Sequence, residues 1–133
     1  MTPDEMDTIM AAHFAAEATH DLDAIVATLT DDVVHDAVGF PGGDLVVGDH
    51  DAITKRYAQL FAAIEMEAVE PVSRLYGENF LVDECLYKGR LTGDFFGLPG
   101  DNQRVSFRLL HVCEFRDGRI SRENVWQGPP IMA

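Results

Sequence analysis

The sequence predicts an α+β domain in which three N-terminal helices pack on one face of a curved antiparallel sheet. Two observations carry that expectation. Helical periodicity dominates up to residue 64, and four long strand-like segments follow it. With 133 residues the chain is long enough for one domain, residues 1–133, around one substantial core, and it shows no repeat.

Thr2, Pro3 and Glu5 supply an N-cap, a proline at the first helical position and a capping-box glutamate, so a helix starts there and runs to about His20. Met6, Ile9, Met10, His13, Phe14 and Glu17 recur at three- and four-residue spacing, which sets His13 and Glu17 on or beside its apolar stripe. Asp21 caps a second helix, Leu22 to Leu29, that ends at Asp31 and Asp32. Val33 to Val38 reads as the first strand. A loop through Pro41, Gly42 and Gly43 leads to a short extended piece, Leu45 to Val47. The third helix begins near Asp49 and reaches Ile64, with Ile53, Tyr57, Leu60, Phe61 and Ile64 along one face.

The strands that follow are Met66 to Tyr76, interrupted at Pro71, then Phe80 to Thr92, Val105 to Arg116 and Arg119 to Trp126. Gly93 to Arg104, with Phe95, Phe96 and Leu98 in it, reads as a lid, a dimer contact or a plain loop. Asp117-Gly118 between two strands signals a type I′ hairpin. Counting back from that turn opposes His111 to Asn124 and Leu109 to Trp126, which gathers these four on one face, provided the hairpin holds no bulge.

Charge and composition exclude several functions. With 10 Lys+Arg against 23 Asp+Glu, the net charge of −13 repels phosphate backbones and anionic lipid, so neither nucleic acid nor membrane is an expected partner. No apolar run approaches a membrane span, and Asp4, Glu5 and Asp7 stand where a signal peptide carries basic residues, which points to the cytoplasm. Cys85 and Cys113 lie on separate strands without zinc-type spacing and read as reduced thiols. The chain has no dinucleotide fingerprint, Walker lysine, nucleophile elbow or H-E-x-x-H, so no cofactor and no metal are expected.

Two ionisable residues interrupt apolar series. Asp36 shares its strand face with Val34 and Val38, and His111 falls within Val105, Phe107, Leu109, His111, Cys113 and Phe115. A charge on a buried face is costly unless paired or used. Asp36 suits a general base, while His111 and His13 suit donors to an oxyanion, or are core histidines satisfied by a neighbour such as Asn124. Tyr57, Phe61, Leu109 and Trp126 would wall a pocket for a small hydrophobic molecule. His35 points away from Asp36, and His20 and His50 sit at helix ends.

His20-Asp21-Leu22-Asp23-Ala24-Ile25-Val26, with Asp31-Asp32 and Asp36-Ala37-Val38-Gly39 after it, resembles the N-terminal half of ketosteroid isomerases, in the nuclear transport factor 2-like superfamily. Leu110 to Ile120 and the Gly97-Leu98-Pro99 loop look more like its SnoaL-like polyketide cyclase branch. The resemblance implies a cone-shaped α+β domain with a deep pocket. It implies Asp36 in the place of the isomerase base, His13 in that of a substrate-binding tyrosine and His111 in that of a protonated aspartic acid. The cyclase base falls where this chain reads Trp126-Gln127-Gly128, and the R-x-D pair of the related epoxide hydrolases falls on Leu109-Leu110-His111. The expected activity is proton transfer next to a carbonyl: isomerisation, aldol cyclisation or dehydration. The alternative is a ligand-binding domain without turnover. A homodimer through the exposed sheet face is expected.

Overall fold

Capping residues set the helix starts that the sequence predicts. The computed structural model describes residues 1–132. Helix α1 spans Pro3–Ala18, where the Thr2 hydroxyl accepts from Glu5 N and the Glu5 carboxylate accepts from Thr2 N. Helix α2, Leu22–Ala27, is capped by Asp21, which accepts from Ala24 N. It stops two residues early because Leu29 already belongs to strand β1, Leu29–Val38. Asp31 and Asp32 are therefore exposed strand residues rather than a helix end. Strand β2 is Leu45–Val47, helix α3 is His50–Ala63, and β3 to β6 are Ile64–Gly77, Phe80–Leu91, Arg104–Arg116 and Arg119–Gln127. A short β7, Ile131–Met132, returns to pair with β5.

The strands form one curved sheet in the order β2-β1-β6-β5-β4-β3. It is mixed rather than wholly antiparallel, because β1 lies parallel to β6, with Asp36 beside Asn124. Parallel neighbours need a long crossover, and everything from β2 to β5 supplies it. The helices cover one face. On that inner face β1 presents Val33, His35 and Ala37, all buried, while Val34, Asp36 and Val38 face outward. The expected burial of Asp36 is thus reversed. Both alternating sets contain apolar residues, so period two alone does not say which set faces the core.

Strand β5 keeps the predicted face: Val105, Phe107, Leu109, His111, Cys113 and Phe115 are all buried. The hairpin turn is of the expected hand, with Asp117 at φ 54° and Gly118 at φ 74°. Arg116 opposes Arg119 and Phe115 opposes Ile120, but the next pair is Glu114 with Arg122. Ser121 is the extra residue of a β-bulge. Past it every partner shifts by one, so His111 opposes Val125 and Leu109 opposes Gln127. Glu123 and Val125 move to the inner face, and Asn124 and Trp126 move to the outer one.

Two apolar groups fill the interior. One gathers Met6, Met10, Ile25, Leu29, Val33, Ile53, Leu81 and Ile120; the other gathers Ala37, Ile64, Leu91, Phe95, Val105, Phe107, Leu109 and Val125. Phe95 is almost fully buried, so the Gly93 to Arg104 connection is anchored in the core. The inner-face positions between the two groups on β1, β6 and β5 belong to His35, Glu123 and His111.

Candidate functional site

Where the two apolar groups meet, helix and sheet bring polar side chains together. His13 projects from α1, where the helical repeat puts it in line with the buried Met6 and Met10, and it is fully buried. Its Nδ1 lies 2.8 Å from Thr28 Oγ1. That hydroxyl donates its own proton to Ile25 O at 2.6 Å, so it accepts from His13 Nδ1–H. His13 Nε2 lies 3.2 Å from Glu17 Oε1, one helical turn on, and 3.2 Å from Glu123 Oε2 on β6. The Tyr57 hydroxyl donates to Glu123 Oε1 at 2.6 Å and sits 3.2 Å from His13 Nε2. His35 Nδ1 is 3.5 Å from the same Glu123 oxygen.

Charge in this setting is set by the pairing. Burial alone would lower the His13 pKa, but the Glu123 and Glu17 carboxylates override it and raise it from 6.5 to about 10. Burial works against the Glu123 carboxylate too, yet the imidazolium of His13 and the His35 ring hold it well below the usual carboxylate range. Burial followed by the two nearby carboxylates pushes the Tyr57 phenol well up, so it stays a neutral donor. His111 is buried against Phe14, with ring centroids 5.5 Å apart, and burial lowers its pKa despite those carboxylates. It is a neutral imidazole at pH 7. Its Nδ1 has no hydrogen-bond partner among the described residues. Glu17 alone of the group reaches solvent, with 22% of its side chain exposed.

Of the residues expected to form the site, His13, His111 and Tyr57 come together on the inner face. Phe61 packs beside Tyr57, 5.9 Å between centroids, and stacks on His20 at 4.2 Å. Leu109 is on the inner face within the second apolar group. Asp36 does not join them: on the outer face its Oδ2 accepts from Arg122 at 2.8 Å. Asn124 and Trp126 are outer-face residues as well, and the indole N–H donates to Asn124 Oδ1 at 2.6 Å. The single cause for both is the Ser121 bulge. Glu123 was missed for the same reason, because the unbulged register turns it outward. Its sequence signal was a glutamate in a strand whose partner face is wholly apolar but for His111. Cys85 and Cys113 are free thiols, as expected, and burial pushes Cys85 up to about 11.

Helices laid on the inner face of a mixed, curved sheet, with ionisable groups held in the interior, define a nuclear transport factor 2-like domain. The SnoaL-like domain family matches residues 10–123, and the chain belongs to that family. No curated protein matches the sequence. Among solved structures, a nuclear transport factor 2-like protein from Burkholderia xenovorans LB400 is 16% identical, with a TM-score of 0.79 over 96% of this chain and 92% of its own. A proposed polyketide cyclase from Xanthomonas campestris pv. campestris is 17% identical, with a TM-score of 0.76 over 92% of this chain and 90% of its own. An LEH-like epoxide hydrolase from M. tuberculosis is 20% identical, with a TM-score of 0.71 over 94% of this chain and 84% of its own. At these identities the likeness is one of fold. Among the described residues no helix is long and apolar enough to cross a membrane.

Proposed function

We propose that the protein is an enzyme that moves a proton next to the carbonyl of a small hydrophobic, polyketide- or steroid-like compound, giving isomerisation, aldol cyclisation or dehydration. One observation carries the reading: an imidazolium, His13, held between a buried carboxylate, Glu123, and one that reaches solvent, Glu17. Glu17 takes the role of base that the resemblance assigned to Asp36, since it alone combines contact with the buried group and access from outside. His13 donates to the enolate oxygen, and Glu123, oriented by Tyr57, keeps it charged. His111, neutral and with an unpartnered ring nitrogen, is the second polar group for the substrate. Phe61 and Leu109 supply apolar wall. The cyclase and epoxide hydrolase names among the structural neighbours support an enzymatic role without fixing the reaction.

The competing reading, a binding domain without turnover, is favoured by the fact that His13 and Glu123 already satisfy each other. Conjugated and β,γ-unsaturated ketones screened by thermal shift, then followed by NMR for exchange of α-protons in D2O, separate the two. Exchange that disappears in Glu17→Gln supports the enzyme. Binding without exchange assigns the non-catalytic role, and no ketone binding at all defeats both. We also propose a homodimer through the outer sheet face, where Leu75 and Trp126 are exposed and Val82, Leu110 and Val112 lie between them.

A further inference from the structure

We infer that His13, Glu17 and Glu123 form a site for one divalent first-row transition-metal ion. One ligand atom from each lies within 4.8 Å of the others, and His13 Nε2 is 3.2 Å from both carboxylate oxygens. Atoms bound to one metal at ~2.1 Å stand ~3.0–3.4 Å apart in octahedral or tetrahedral geometry, and the two His13–carboxylate separations already have that spacing.

The surroundings complete the pattern of a metal centre. A ligating histidine ordinarily donates its other ring N–H to an acceptor, which fixes the tautomer and aims the bare nitrogen at the ion. Thr28 does this for His13: its own proton is committed to Ile25 O, so it accepts from Nδ1–H. The Tyr57 hydroxyl binds Glu123 Oε1, while Oε2, on a side chain 97% buried, has no hydrogen-bond donor and faces His13 Nε2. A carboxylate oxygen that deep needs a cation: the protonated His13 ring, 3.2 Å away, is one, and a divalent ion replaces it when Nε2 gives up its proton. Two carboxylates and a neutral imidazole carry a charge of −2, which a divalent ion cancels.

The donor set selects the metal. One nitrogen and two oxygens suit zinc, manganese, iron(II) or cobalt; calcium asks for six to eight oxygens, and soft copper(I) for sulfur. Three protein ligands leave positions open, on the side where Glu17 reaches solvent. Sequence spacing conceals the set because two ligands come from one helix at i, i+4 and the third from the last long strand, 106 residues after Glu17. The inference concerns occupancy: with the ion bound, His13 Nε2 carries no proton and Glu17 is a ligand, so the loaded site is a state distinct from the proton-transfer arrangement and is tested by metal binding alone.

The test uses the full chain, stripped with EDTA and titrated with Co2+. The expected result is a visible d–d band that saturates at one Co2+ per chain, is displaced by Zn2+, and is accompanied by a rise in melting temperature. Glu17→Gln, at a partly exposed position that leaves the fold intact by circular dichroism, weakens binding ~10-fold or more, and Thr28→Ala, which removes the orienting hydroxyl, weakens it ~10- to 100-fold. Asp36→Asn binds as the parent does. No d–d band at millimolar Co2+, or a band that Glu17→Gln and Thr28→Ala leave unchanged, overturns the site.

Discussion

At the scale of single residues, His13 and Glu123 depend on one another. Removing one partner of a buried pair strands the other charge, so Glu123→Ala should cost ~3–5 kcal/mol in urea unfolding. Asp36→Asn breaks a pair whose arginine is 40% exposed and should cost at most ~1 kcal/mol. The pair also gives stability a pH signature. The His13 pKa is raised in the folded state from 6.5 to about 10, so its contribution is complete below pH 6.5 and is lost as the pH climbs toward 10. Glu123 is held low, so its contribution is complete above its ordinary value of 4.5 and is lost as the pH falls below it. Burial holds His111 below 6.5, so its contribution shrinks as the pH falls under 6.5, and melting temperatures measured in EDTA should therefore be highest near pH 6.5 and fall steadily on the alkaline side. A His13→Gln variant that keeps the same alkaline slope would show that the slope comes from elsewhere.

At the scale of elements, the Ser121 bulge decides which residues of β6 enter the interior. Deleting Ser121 removes the bulge but keeps Ile120 opposite Phe115, Arg122 opposite Glu114 and Glu123 opposite Cys113, so Glu123 still faces Tyr57 and His13. The deletion variant should therefore keep a cooperative unfolding transition, and Ser121→Ala, which keeps the extra residue, should change stability by no more than about 0.5 kcal/mol; loss of the transition on deletion would show that the bulge itself is required. The same bulge explains what was legible in the sequence. Helix starts were readable from Thr2, Asp21 and Asp49, because a cap is a local chemical event. The inner face of β5 was readable because six alternating positions are apolar apart from His111. The face of β1 was not, since Val34 and Val38 alternate as convincingly as Val33 and Ala37. The register of β6 was not, because a serine that bulges looks like a serine that pairs. Of the site, then, His13, His111, Glu17 and Tyr57 were in view, while Glu123 and His35 needed the strand faces settled first. Parallel pairing of β1 with β6 is a long-range choice with no local mark.

At the scale of the whole molecule, the sheet buries one face under helices and leaves the other bare. Across that outer face Asn124, Val112, Val82 and Leu75 stand in one register row, with Trp126 and Leu110 in the next. A homodimer there predicts a light-scattering mass of twice 14.7 kDa, and Trp126→Glu should shift it toward the monomer, aided by the repulsion between chains of charge −13. A parent protein that is monomeric at high micromolar concentration would remove the dimer. The proposed chemistry is on the inner face, and placing the base there rather than at Asp36 is what most needs testing. With a ketone found by the exchange screen, kcat should be compared in Glu17→Gln and Asp36→Asn, each nearly isosteric. A loss of ~100- to 10,000-fold in Glu17→Gln with an unchanged rate in Asp36→Asn is the predicted result. A collapse of kcat in Asp36→Asn with Glu17→Gln unaffected would place the reaction on the outer face and contradict it.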